Sequence, residues 1–252
     1  MATILFFDML GARKRWQNGG TEEAMRMFNH FGRLVNAAIR EEDPQSILQG
    51  GIETDSAMLI CDSVITSLRI AQRIYRWAFR NPENPRANRL WLRGCIVPYH
   101  ETFTRRESPM RPPFDQVKAY TYSDEAFDAI SIEKSGFKGM RVLVRSELID
   151  AEARNAFRIP FGQASFITLK RLRHSNYPNI IQGELLDFLW MACAENDEWE
   201  EIAEHMASRL RYSAHDIEEF SQAAATQVLF HECGAIRQSA ISRSIRLARV
   251  AN

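Results

Sequence analysis

The sequence predicts an α+β domain: a mainly antiparallel sheet with helices on one face, followed by a helical C-terminal region. Three observations carry this. Short apolar runs of strand length alternate with longer segments of helical spacing in the order β-α-β-β-α-β-α-β across residues 1–175. Two of the strand candidates are separated only by a tight turn near Glu53-Thr54-Asp55, which makes them antiparallel neighbours. Beyond Tyr177-Pro178 every remaining segment reads as helix, which sets residues 176–252 apart as a helical C-terminal extension.

The elements follow in order. Thr3-Ile-Leu-Phe-Phe-Asp8 is continuously apolar until it ends in a carboxylate, as a strand buried on both faces would be. The basic cluster Arg13-Lys14-Arg15 after it reads as a solvated loop, or as a lid over a bound anion. Thr21 with Glu22 and Glu23 signals a helix start, and Ala24, Met27, Phe28, Phe31, Leu34, Val35 and Ala38 recur at helical spacing until Asp43-Pro44. Ser46 to Cys61 gives the hairpin. Asp62 can cap a second helix carrying Val64, Ile65, Leu68, Ala71, Ile74, Tyr75 and Ala78, stopped at Asn81-Pro82. Leu90 to Tyr99 is a strand, with Pro98 at its end where a ladder donor can be missing. Thr104 to Pro113 is a loop, Val117 to Ile132 a helix, Met140 to Val144 a strand, Ser146 to Phe157 a short helix and Ser165 to Leu172 a strand. The tail has helical patterns at Glu184 to Ala194, Asp197 to Arg211 and Ala214 to Val250. Arg237, Arg243, Arg246 and Arg249 in the last one read as cations favoured near a helix C-terminus.

The 252 residues carry 32 basic and 32 acidic side chains and are 45% hydrophobic, which excludes wholesale disorder and a chain that lives in lipid. A balanced charge argues against nucleic-acid binding through overall charge. The N-terminal apolar run stops at Asp8, far short of the ~20 residues that span a bilayer. Cys61, Cys95, Cys193 and Cys233 lie far apart without a C-x-x-C pair, so neither a zinc site nor a disulfide framework is expected, and a cytoplasmic location is. Only five of the 32 basic residues are lysine, and arginine's planar fork suits phosphates and carboxylates.

The chemistry centres on Asp8 and Asp55. One carboxylate ends the first strand and the other sits in the hairpin turn, so a sheet that pairs that strand with the hairpin brings both to one edge. Two close carboxylates repel unless a cation lies between them, and hard Mg²⁺ or Mn²⁺ takes such oxygen ligands together with water and substrate phosphate. On spacing alone, Asp8 can equally be a strand end and Asp55 an ordinary turn residue. Arg93 points at phosphate or pairs with a carboxylate on the sheet; the sequence leaves both open. His100 with Glu101 lacks a nucleophile motif and reads as structural, and His205, His215, His231 and Glu232 lack metal-ligand spacing.

Phe6-Phe7-Asp8-Met9-Leu10-Gly11 resembles the strand-end motif of the class III nucleotidyl cyclases, an aromatic-rich strand ending in Asp, an apolar residue, any residue and Gly. Glu53 to Ile60 is similar to their second metal motif, a Gly-Asp turn leading into an apolar strand. Leu92-Arg93-Gly94-Cys95-Ile96-Val97 resembles the following strand, often Arg-Gly-Gly-Ile in bacterial members. The resemblance covers roughly residues 3–172 and implies a ferredoxin-like class III cyclase domain within residues 1–175. It implies two divalent cations, Mn²⁺ or Mg²⁺, bridged by Asp8 and Asp55 with the backbone carbonyl of Met9 as a further ligand. It implies backbone N–H groups of Leu10, Gly11 and Ala12 facing the triphosphate, and a homodimer with sites at the subunit interface.

The departures narrow the substrate. Purine cyclases of the family carry Lys or Glu four residues before the second Asp; here Gly51 stands there, with no side chain to read a purine edge. Their ribose Asn and transition-state Arg correspond to Lys118 and Tyr122. The chain therefore looks more like the pyrimidine cyclases of bacterial Pycsar antiphage systems, which make cyclic UMP or cyclic CMP for a separate cyclic-nucleotide-binding effector. UTP is the favoured substrate. CTP, a purine nucleotide, and a catalytically silent nucleotide-binding or dimerisation module are the alternatives.

Overall fold

The computed structural model describes residues 1–80, 90–100, 124–134, 137–159, 163–168, 185–213 and 217–250. In chain order they form β1 (Thr3–Met9), α1 (Ala12–Arg40), a 3₁₀ turn (Pro44–Ser46), β2 (Ile47–Glu53), β3 (Ser56–Cys61), α2 (Val64–Arg80) and β4 (Leu92–Pro98). There follow α3 (Asp124–Glu133), β5 (Val142–Arg145), α4 (Ala151–Ala156), β6 (Arg158–Ile159), β7 (Gln163–Ala164), β8 (Phe166–Thr168), β9 (Leu185–Phe188), α5 (Asn196–Ser213) and α6 (Ile217–Val250). Seven strands make one sheet in the order β2-β3-β1-β4-β5-β9-β8, and β6 pairs with β7 separately. The β4–β5 pair is parallel and the others antiparallel, so the sheet is mixed and the fold α+β. Its first four strands, with α1 and α2 between them, form a β-α-β-β-α-β unit of ferredoxin-like order.

β1 is central, and this explains its unbroken apolar sequence. Leu5, Phe7 and Met9 enter the larger core with α1 and α2, while Ile4 and Phe6 face a second core with Cys95, Val97, Leu143 and the α3 residues Ala126, Ala129 and Ile132. Helices thus cover both faces of the sheet, not one as expected: α3 lies alone among the described helices on the second face. Its apolar stripe is pinned there by polar links. Asp128 accepts from Arg145 of β5 at 2.6 Å, and the Cys95 thiol donates to the Ala129 carbonyl at 3.0 Å.

Three sequence expectations are corrected. The helix expected from Thr21 already starts at Ala12, so Arg13-Lys14-Arg15 lies in its first turn; Gly20, with φ 75°, kinks the helix just before Thr21, where the sequence placed the start. Ser63, not Asp62, caps α2, its Oγ accepting from the Thr66 N–H, while Asp62 accepts from the Thr66 hydroxyl. The helical pattern at Glu184 to Ala194 instead yields β9, inserted between β5 and β8, so the sheet draws a strand from beyond residue 175. A four-residue strand buried on both faces, Leu185–Phe188, has no alternation for a periodicity argument to detect.

The helical C-terminal region is attached through buried arginines. Arg209 of α5 donates to the carbonyls of Ala78, Phe79 and Leu90 and stacks over Phe79 and Trp91, thereby satisfying the C-terminal turn of α2. Arg237 of α6, read from sequence as a dipole-favoured cation, is buried; it donates to Ala192, Ala194 and Asn196 and lies over Trp199. No described helix is long and apolar enough to cross a membrane.

Gly94 marks the tightest contact between the central strands. A methyl group there would lie 2.9 Å from the Phe6 carbonyl oxygen, 3.0 Å from the Tyr75 hydroxyl and 3.1 Å from the Phe7 Cβ. Gly94→Ala is expected to destabilise the fold by about 1–3 kcal/mol through overpacking, read as a lower thermal or urea midpoint.

Candidate active site

The registers of β1 place the proposed ligands. Asp8 is opposite Ser56 on β3 and opposite Arg93 on β4, and Ser56 in turn is opposite Glu53. Glu53, Ser56, Asp8 and Arg93 therefore form one row across four strands on the α3 face, because directly opposed residues share a face. Asp55 lies in the two-residue turn beside this row, with its carbonyl accepting the Met9 N–H at 2.6 Å. The sequence expectation that pairing of β1 with the hairpin gathers Asp8 and Asp55 at one edge thus matches the backbone. Thr54, before Asp55, has φ 33°, a left-handed conformation unusual for a β-branched residue; its hydroxyl donates to Asp55 Oδ1 at 3.0 Å.

Of the two readings of Arg93, the structure shows the carboxylate pair. Nε donates to Glu133 Oε1 at 2.7 Å, Nη2 bonds the same carboxylate, and Nη1 donates to the Phe137 carbonyl at 2.7 Å. Glu133 ends α3 and is almost fully buried; the sequence did not single it out. Its one available signal was a carboxylate in the last turn of an apolar helix, where the dipole disfavours it.

Burial pushes the Asp8 carboxyl up to about 7; the negative charges of Glu133 and then Asp55 add to this, and Arg93 and Lys134 oppose it. Burial and neighbouring carboxylates therefore make the ionised form of Asp8 costly, a cost that a divalent cation would relieve. Among the described residues no group of three or more His, Cys, Asp or Glu side chains is gathered closely enough to hold a metal by itself. Asp8 and Asp55 offer oxygen donors only, and such a partial set fits Mg²⁺ or Mn²⁺, which completes its shell with water and substrate phosphate.

Directly after β1, Gly11 at φ 77° turns the chain into α1. The Leu10 N–H donates to the Trp91 carbonyl at 2.8 Å, so it does not face a ligand as expected. From Ala12 the first-turn amides of α1 begin, with no capping side chain and no acidic residue. Gly51 is opposite Met58, which is opposite Phe6, so it sits on the same face as Asp8, one row further from the turn and on the edge strand β2. Lys118 and Tyr122 lie outside the described residues.

No protein-family model matches the chain, and no curated protein matches it. Among solved structures, two of adenylate cyclases from Trypanosoma brucei in their monomeric state are similar. One is 15% identical over 74% of this chain and 87% of that chain, with a TM-score of 0.48. The other is 13% identical over 74% and 86%, also with a TM-score of 0.48.

The raised Asp8 carboxyl has a consequence for the metal-free protein. Between the ordinary carboxylate value and about 7 the folded state binds a proton that the unfolded chain has lost, so this group's contribution falls as pH rises through that window. With chelator present, Asp8→Asn is expected to raise the melting temperature at pH 8.5 and to raise it clearly less at pH 5; equal shifts at both values would contradict the assignment.

Proposed function

We propose that the chain is a metal-dependent nucleotide cyclase that converts UTP into 3′,5′-cyclic UMP and pyrophosphate. The observation that carries this reading is the pair Asp8 and Asp55, on adjacent backbone segments of β1 and the β2–β3 turn, beside the uncapped start of α1. It agrees with the resemblance of the same three segments to class III cyclase motifs. The first turn of α1, with no capping side chain and no acidic residue, adds weight, because its amides suit a bound anion.

In this reading Asp8 and Asp55 hold two Mn²⁺ or Mg²⁺ ions, with the Met9 carbonyl as a further ligand. The bound metals supply a lowered pKa for the ribose 3′-hydroxyl and neutralise the triphosphate. The amides from Ala12 onward hold phosphate oxygens, and Gly11 lets the backbone approach them. The 3′-oxygen bonds to the α-phosphorus, its proton passes to water, and the bond from the α-phosphorus to the bridging oxygen breaks to release pyrophosphate. Arg93, held by Glu133, keeps one positive charge beside Asp8. The base lies towards Gly51, whose bare backbone suits a small pyrimidine and lacks the side chain that purine enzymes of the family use. Lys118 and Tyr122 are assigned to the ribose and phosphate by sequence alone. The resemblance further supports a homodimer with sites between its subunits and a role as the second-messenger synthase of a bacterial antiphage system whose product is read by a separate effector, and the spaced, unpaired cysteines support a cytoplasmic location.

The full chain incubated with Mn²⁺ and each of ATP, GTP, CTP and UTP is expected to give cyclic UMP by mass spectrometry. Cyclic AMP alone would overturn the pyrimidine assignment, and no cyclic product from any nucleotide would overturn the enzyme. Asp8→Ala and Asp55→Ala should each lower turnover by about a hundredfold or more, several kcal/mol of transition-state stabilisation, while circular dichroism stays unchanged. Full activity in either variant would remove the two-carboxylate metal site.

A further inference from the structure

We infer that Gln222 and Thr226, on the C-terminal helix α6, are positioning residues for the site, acting on Arg93 through the backbone of Phe137–Arg141. Its functional side rests on the cyclase reading. Thr226 Oγ1 accepts the Met140 N–H at 3.0 Å and donates to the Gln222 carbonyl at 2.7 Å, and Gln222 Oε1 accepts the Gly139 N–H at 2.7 Å; all are buried. The neighbouring Trp190 Nε1 donates to the Met140 carbonyl at 2.8 Å. Gly139 has φ 88°, and a Cβ there would stand 2.9 Å from the Thr226 nitrogen and 3.0 Å from the Ala225 carbonyl carbon, so this backbone is pressed directly onto α6.

The same short segment reaches β4 at the row that holds Asp8. The Phe137 carbonyl accepts from Arg93 Nη1, and the Arg141 carbonyl accepts the Gly94 N–H at 3.0 Å. Arg93 itself lies opposite Asp8. The guanidinium therefore takes one anchor, Glu133, from α3 and another, the Phe137 carbonyl, from a segment whose next residues are fixed by α6. Loss of the Thr226 hydroxyl leaves a buried Met140 N–H unpaired, and the segment shifts to find a partner. Because two hydrogen bonds and a cramped glycine couple the pieces, the shift passes to Arg93 more readily than it is absorbed.

The test uses the full chain with its arginine Nε–H groups followed by ¹H–¹⁵N NMR, the Arg93 signal being identified by its loss in Arg93→Lys. In Thr226→Val the Arg93 signal is expected to shift or broaden, and in Thr226→Ser, which keeps the hydroxyl, to return to its wild-type position. In parallel, Thr226→Val should change Mn²⁺ affinity, read by electron paramagnetic resonance, severalfold, because Arg93 lies opposite Asp8, and Thr226→Ser should restore it. An Arg93 signal unchanged in Thr226→Val overturns the linkage, whatever the Mn²⁺ affinity. If Thr226→Val does not fold, Gln222→Met is read in the same way, and failure of both to fold also overturns it by making the two residues merely structural. If the wild-type chain turns over no nucleotide, the cyclase reading fails, and the NMR signal still decides the linkage.

Discussion

The structure depends on the pairing of β1 with β3 on one side and β4 on the other. That double pairing buries a seven-residue apolar strand between two cores and leaves its penultimate residue, Asp8, as a carboxylate at the edge of the barrier between them. A carboxylate so placed is costly while ionised, as its raised protonation equilibrium records. The opposed arginine offsets part of this cost, Asp55 beside it adds negative charge, and the first turn of α1 begins four residues later at Ala12. One register shift in β1 would turn Asp8 to the α1 face and dismantle all of it.

The second theme is how the arginines are spent. A net charge of zero with few lysines gave no hint of location, yet several guanidiniums are interior parts. Arg209 and Arg237 tie α5 and α6 to carbonyls left open at the ends of other elements, and Arg145 and Arg93 each take a carboxylate from α3. Buried pairs of this kind contribute specificity of placement more clearly than net stability, since desolvation offsets much of their attraction, whereas loss of one partner strands the other. Balanced composition is thus partly an internal matter here: acid and base are matched where they touch.

The legible part of the site is the part written in contiguous residues. Asp8 followed by Met9-Leu10-Gly11, and Asp55 in a turn between apolar runs, carry their placement in local pattern, and the hairpin register follows from the turn. Glu133 and the anchoring of Arg93 were not legible, because they depend on where α3 crosses the sheet, some 40 residues from Arg93 in sequence. The Leu10 amide was misjudged for a similar reason: its acceptor, the Trp91 carbonyl, comes from a strand start that only the assembled sheet brings near.

By itself the sequence determined that β1 is buried, that a hairpin follows the first helix, and that two aspartates end up at neighbouring backbone positions. These are consequences of apolar length, turn chemistry and the two-residue period of a strand. Only the tertiary structure decided that α3 occupies the face opposite α1 and α2, that Leu185–Phe188 is a strand inside the sheet between β5 and β8, and that the C-terminal helix reaches the backbone beside Arg93. A short segment buried on all sides has no polar face to betray its period, and a side chain's partner across the sheet is fixed by packing that no local pattern encodes.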